Sequence, residues 1–238
     1  MPKGHHIFMN SRKKISTVIS SLENIIPLQA YLQSHLLPYI ESNIDSFLVR
    51  HINNIAVQLH VNSLKELLEA PVNNADLAKN ILQWGRENYN LRAFKALQAM
   101  IWEEGFQNKE LLAPVCQDNM KQFTQWQFQD IKIYIYSRQA IQAQKGILLH
   151  TEAGELSELI SGYFDLRSGS KTESDSYLIL ADELGEDVSC IMYVTPYVKE
   201  ADAAYRSGVN VVLIDHLHQI NSVKPYVVVP DVRGIRVG

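Results

Sequence analysis

The sequence predicts an α/β fold: a parallel sheet with crossover helices, interrupted after its first strand by a helical insert. Two observations carry this. Short β-favouring runs occur at Ile15–Ser20, Ile131–Tyr136, Val188–Val194 and Val209–Ile214, and in the second half of the chain they alternate with stretches of helical periodicity, the signature of buried parallel strands. Between the first two runs lie more than a hundred residues without a strand signal, in which Leu, Ile, Ala and Phe recur at three- and four-residue spacing.

Taken in order, the first run gives a strand at Ile15–Ser20. The insert reads as helices over Tyr31–His60, Leu64–Leu68, Leu77–Trp84 and Arg92–Trp102. Pro71 with Asn73 and Asn74 marks a break inside it, and Ala113-Pro114 another near its end. After the strand at Ile131–Tyr136, helices are expected over Ile141–Leu149, Glu152–Ser161, Glu173–Leu184 and Lys199–Ser207, with Gly185 and Gly208 where C-terminal caps belong. The domain expectation is a core of residues 1–29 and 116–238 and an insert of 30–115. No internal repeat or low-complexity tract interrupts this pattern.

Composition narrows the function classes. With 238 residues, 46% of them hydrophobic, the chain can bury one sizeable core and a smaller second one. Twenty-two basic and 26 acidic side chains give a net charge of -4, without the basic face that nucleic acid requires. Arg12, Lys13 and Lys14 form the single basic cluster and read as a solvated lead-in to the first strand. Cys116 and Cys190 lie far apart, in stretches read as helix and strand, and suggest buried thiols in a reducing compartment. No apolar stretch approaches the roughly 18 residues of a membrane span, and the segment Ile15–Ile26 is too polar for a secretory signal. The expectation is a cytoplasmic monomer.

In parallel α/β sheets ligands bind beyond the carboxyl ends of the strands. That rule selects Ser21–Ile25, Ser137–Gln139, Lys171 and Thr195–Tyr197 for inspection. The histidines show no metal-site spacing: His216 and His218 lack a third ligand nearby, and His5 and His6 lie in the terminus. Trp84, Trp102 and Trp126 sit at helical positions typical of core residues.

Three segments carry a resemblance. Arg92–Phe106, with Lys95, Leu97, Gln98, Trp102 and Gly105, resembles the LKxLQGxxWxxGY segment of the acireductone synthase (enolase-phosphatase) family of haloacid-dehalogenase-type phosphatases. Tyr134–Lys145, YIYSRQAIQAQK, is similar to that family's YIYSSGSVxAQK. Gly162–Tyr177, GYFDLRSGSKTESDSY, resembles its GxFDTxxGxKxExxSY. The resemblance implies a Rossmann-like core with an all-helical cap inserted after the first strand. It also implies a substrate, the phosphorylated diketone 2,3-diketo-5-methylthiopentyl-1-phosphate of methionine salvage, enolised and dephosphorylated with magnesium. The tail beyond Ile214 adds nothing to it.

The implied site residues depart from the family. Its nucleophile is an aspartate within DxEGT, after the first strand; counting back from the shared Pro38-Tyr39 pair places that position at Ser21, followed by Leu22, Glu23, Asn24 and Ile25. Only Glu23 matches. A serine ester of phosphate lacks the lability of an acyl phosphate. Ser137 matches the phosphate-binding serine, with a helix-capping role as the alternative; Arg138 follows it, either as an added phosphate contact or as a plug. Lys171 matches the lysine that neutralises phosphate and nucleophile. Lining up Glu200, Ala203 and Ala204 with ExxAA puts Pro196 where the family has a metal-binding aspartate, so Glu23 alone remains as a metal carboxylate and magnesium binding is expected to be weak or absent. Asp202 is expected to point elsewhere.

Three functions are carried forward: a pseudophosphatase that still binds a phosphorylated small molecule, an active acireductone synthase with atypical residues, and an interaction scaffold acting through the helical cap. The scaffold reading calls for an exposed apolar face between Leu64 and Trp84.

Overall fold

The computed structural model describes residues 7–8, 13–68, 73–86, 91–233 and 235–237. His5, His6, Arg12 and Pro71, singled out above, lie outside them. The chain divides into two compact units, Met1–Leu28 with Ala113–Gly238, and Gln29–Leu112.

The first unit is built on a six-stranded, wholly parallel sheet. A short strand β1 (Ile7–Phe8) is followed by β2 (Thr17–Ser20), and the sheet continues with β3 (Lys132–Tyr136), β4 (Gly162–Phe164), β5 (Ile191–Thr195), β6 (Asn210–Ile214) and β7 (Val227–Val229), in spatial order β4-β3-β2-β5-β6-β7. β2 is central, pairing Val18 with Ile133 on one side and Met192 on the other. All four of its residues are buried, as a strand covered on both faces requires. β1 pairs in parallel with β8 (Ile235–Arg236) in a separate two-stranded sheet. The second unit holds α1 (Leu28–Tyr31, whose first residue belongs to the first unit), a π-helical stretch Leu32–Leu36, α2 (Leu37–Arg50), α3 (Ile55–Lys65), α4 (Asn74–Arg86) and α5 (Arg92–Gln107). The first unit adds α6 (Gln117–Phe128), α7 (Ile141–Leu149), α8 (Ser174–Leu184) and α9 (Val198–Arg206).

Several elements differ from expectation, each for a local reason. Tyr31–His60 is not one helix, because it breaks after Arg50 and restarts where the Asn54 side chain accepts from Ala56 and Val57 amides at 3.0 and 3.2 Å. Glu152–Ser161 is not a helix. Gly154 sits at φ +91° and Thr151 engages the backbone of Ala153 and Gly154, so the segment turns and yields only a 3-10 turn at Ser157–Leu159. Val188–Cys190 is likewise a 3-10 turn, its entry held by the Asp187 side chain accepting from the Ser189 amide, and the strand starts at Ile191. Cys116 precedes α6 and Cys190 ends that turn; both are free thiols, half-buried. β4 and β7 were not expected. β7 lies in the tail set aside above, although Val227-Val228-Val229 is a β-branched run.

Gly185 adopts the left-handed conformation, φ +65°, and ends α8. Trp126 is wholly buried, Trp84 and Trp102 pack against the core of the helical unit, and Trp102 donates to the Leu36 carbonyl at 2.9 Å. Between Leu64 and Trp84, Leu64, Leu77, Ala78 and Ile81 are buried and Leu67 is exposed; Val49, Ile52, Ile55 and Leu59, earlier in the helical unit, are also exposed. Among the described residues, no helix is long and apolar enough to cross a membrane.

Candidate functional site

The carboxyl ends of the central strands converge on one buried polar cluster. β2 ends at Ser20, and Ser21 follows in extended conformation, its amide donating to the Val194 carbonyl at 2.9 Å. The next residues wind into a 3-10 turn, Leu22–Asn24. Asn24 fixes that turn by donating its side-chain amide to Ser20 Oγ at 3.1 Å and to the Val194 carbonyl at 2.9 Å. β5 delivers Tyr193 and Thr195, and the buried face of α9 delivers Glu200. Lys171 comes from the turn before α8, where Tyr177 donates its hydroxyl to the Lys171 carbonyl at 2.7 Å.

Glu200 is the hub. Its Oε2 lies 3.0 Å from Lys171 Nζ, and accepts from Thr195 Oγ1 at 2.8 Å and Tyr193 hydroxyl at 2.9 Å. Lys171 also donates to Ser21 Oγ at 3.1 Å. Ser21 Oγ itself stands 3.1 Å from both the Tyr193 hydroxyl and Thr195 Oγ1, and 3.3 Å from Glu200 Oε2. A hydroxyl carries a single proton, so once Tyr193 and Thr195 donate to Glu200, the Ser21 proton completes the ring. Lys171 is 2% exposed and Glu200 and Ser21 are 0% exposed, so this is a desolvated ion pair with its donors aligned. Burial drives the Tyr193 hydroxyl far above its ordinary range, with Tyr177 and Glu200 adding to the push; it stays protonated and acts as a donor.

Above this layer the site is more open. Arg138 is 64% exposed, 3.5 Å from Glu200 Oε1, and lies over the Tyr197 ring at 5.9 Å. It does not plug the cluster. The Tyr197 hydroxyl is pushed up to about 12, mainly by burial, then by the Glu23 and Glu200 charges, against the pull of Arg138. Glu23 Oε2 and Glu200 Oε1 are buried without a hydrogen-bond partner among the described residues.

The residues singled out in the sequence fall as follows. Ser21, Lys171 and Arg138 meet at Glu200, and Glu23 reaches the same neighbourhood through Tyr197. Ser137 is buried beside Arg138 but caps no helix: its Oγ accepts from the Gln139 amide at 3.2 Å, while Asp165 Oδ2 takes the first amide of α7, Ile141 N, at 3.2 Å. Pro196 follows β5 directly. Asp202 is turned away, paired with the Tyr226 hydroxyl and with Lys224. Thr195 lies in a segment the strand-end rule selected, whereas Tyr193 and Glu200 were missed as participants. Glu200 had a signal: a carboxylate beside Ala201, Ala203 and Ala204 on the inner face of a short helix requires a buried partner.

The donors poorly suit magnesium, which favours several hard anionic oxygens in octahedral array. Beside the Ser21 hydroxyl, one oxygen of Glu200 is saturated by Lys171, Thr195 and Tyr193, and only Glu23 Oε2 and Glu200 Oε1 are buried carboxylate oxygens without a hydrogen-bond partner among the described residues. Among the described residues no three His, Cys, Asp or Glu side chains gather around a cation position.

Comparison with known proteins agrees with this architecture. No protein-family model matches the chain. The "Enolase-phosphatase E1" of Alcanivorax borkumensis is 30% identical over 202 residues, 84% of this chain and 89% of that protein; that of Pseudomonas syringae is 32% identical over 197 residues, 82% and 86%. The chain belongs to the enolase-phosphatase family. Among solved structures, the UTR4 protein of Saccharomyces cerevisiae superposes with a TM-score of 0.77 at 22% identity, over 93% of this chain and all of that one (100%). The L-2-haloacid dehalogenase of Xanthobacter autotrophicus superposes with a TM-score of 0.54 at 13% identity, over 92% and 96%. These fix the fold of this enolase-phosphatase relative as haloacid-dehalogenase-like.

Proposed function

We propose that this chain retains the enolase-phosphatase fold and a place for a phosphorylated small molecule, but has lost phosphoryl transfer. One observation carries the reading. The side chain following β2, where such phosphatases hold their nucleophile, is a serine whose hydroxyl is locked between Lys171 and Glu200 at 3.1 and 3.3 Å. Glu200 Oε2, the oxygen that faces Ser21, is already occupied by Lys171, Thr195 and Tyr193, which leaves it no open lone pair for the Ser21 proton. A phosphoserine formed there would also lack the second, fast hydrolysis of an acyl phosphate. Arg138, Ser137 and Lys171 remain as the groups that would meet a phosphate.

The test is hydrolysis of p-nitrophenyl phosphate and of the diketone phosphate, with and without magnesium, for wild type and for Ser21→Asp/Pro196→Asp. Wild type is expected to be silent and the double variant to gain turnover. Magnesium-dependent turnover by wild type, abolished by Lys171→Ala, would overturn the proposal.

A second reading rests on Glu23, whose Oε2 is buried without a partner. A carboxylate with one oxygen open is what enolisation requires as a base, so the enolase half-reaction could persist without dephosphorylation. It predicts a rise in enol absorbance from the diketone phosphate that Glu23→Gln abolishes; no absorbance change in wild type excludes it.

A further inference from the structure

We infer that the helical unit contains a binding site for a small uncharged molecule with an apolar body and one hydroxyl group, recognised by Gln98. The site is independent of the Lys171–Glu200 cluster and lies wholly within Gln29–Leu112. A cavity of about 190 Å³ opens between α2, α4 and α5, walled by Leu37, Ile40, Ile81, Leu82 and Phe94. Its polar lining is sparse: Gln33 and Glu41 at exposed positions, and Gln98 inside.

Gln98 marks this as more than a packing defect. It is 3% exposed, yet its Oε1 has no hydrogen-bond partner among the described residues. A buried amide oxygen left unpaired is costly, and interiors seldom tolerate one without a ligand or water to meet it. The unpaired atom is an acceptor, so its complement is a donor, and a hydroxyl supplies one without carrying a charge into apolar walls. The aliphatic and aromatic walls select an apolar body, and the Glu41 carboxylate at the mouth disfavours an anion. The volume suits a single-ring molecule, since an apolar cavity of about 150 Å³ accommodates benzene. The chain also departs from α-helical geometry here: the π-helical stretch Leu32–Leu36 leads into α2 and contributes Gln33 to the rim, and such widened turns are frequent at functional sites.

The probes are benzyl alcohol and toluene, which differ by the hydroxyl group, titrated into the full-length 15N-labelled protein. Benzyl alcohol should saturate, move the Gln98 side-chain amide resonances and raise Tm. Toluene should bind about tenfold more weakly, the value of one hydrogen bond to a buried amide. Gln98→Leu, which keeps the volume and removes the amide, should equalise the two. The inference is overturned by equal affinity of the two probes in wild type, by saturation that leaves the Gln98 amide unmoved, or by no saturable binding, the result for a cavity that holds water only. If Gln98→Leu does not fold, the wild-type titrations alone decide.

Discussion

Lys171 and Glu200 place opposite charges 3.0 Å apart with side chains 2% and 1% exposed, and such a pair is asymmetric under mutation. Removing one partner leaves an uncompensated buried charge, at a cost of about 3–5 kcal/mol, whereas replacing both by apolar groups of similar volume is often tolerated. Glu200→Ala should therefore lower the urea midpoint strongly, and Lys171→Met/Glu200→Leu should recover much of the loss; equal destabilisation by both would show that the ion pair is not the organising contact. Ser21→Ala is expected to cost about 1 kcal/mol, since it removes a neutral hydroxyl from a network that keeps its ion pair. Gln98→Leu has the opposite sign: it removes a buried amide oxygen that has no partner among the described residues and should raise stability by about 1–3 kcal/mol in the same titration.

At the scale of elements, two glycines separate helix propensity from backbone necessity. Gly146 lies inside α7, and a Cβ there would meet nothing within 4 Å, so Gly146→Ala should stabilise by about 0.5–1 kcal/mol. Gly169 holds φ +121° and its Cβ would fall 2.2 Å from Ser176 Oγ at the start of α8. Its carbonyl also accepts from the Tyr136 hydroxyl at 2.8 Å. Gly169→Ala should destabilise and loosen the turn that presents Lys171. Thermal unfolding of the two variants reads both signs; similar shifts would refute the distinction.

For the whole molecule, the pH dependence of stability follows from the groups folding perturbs. The Asp165 carboxyl is held below its ordinary range although burial opposes this, because Arg167 and two backbone amides donate to it. The Glu104 carboxyl is likewise low against burial, through His51 and Arg50. Depressed carboxyls contribute stability above their unfolded pKa, near 4, and lose it as pH falls through their lower folded values. Tyr136, raised to about 12 chiefly by burial, acts at the other end: its contribution is complete below the unfolded value near 10 and is lost as pH rises toward 12. Chemical denaturation across pH should give a plateau between about pH 5 and 9 with losses on both sides; a maximum confined to either extreme would contradict this.

The sequence by itself determined the layer architecture, because period-2 and period-3.6 hydrophobicity are local properties: the central strands around Val18, Ile133, Met192 and Val212 and the helical run between the first two were legible from side-chain order alone. It also marked where chemistry would gather, since strand ends are fixed once strands are. Ser21 and Arg138 follow strands read in this way; Lys171, after the unexpected β4, was singled out by the resemblance of its surrounding motif. Short elements were not legible. Gly162–Phe164 and Val227–Val229 become strands by pairing with β3 and β6, and Thr151 and Gly154 override the helical pattern of the segment after α7. Only the tertiary structure decided what Ser21 does. The hydroxyls of Tyr193 and Thr195 and the carboxylate of Glu200 are more than 170 positions away in sequence and 3.1–3.3 Å away in space, and a hydrogen-bond network closed between distant segments leaves no periodic trace in any one of them.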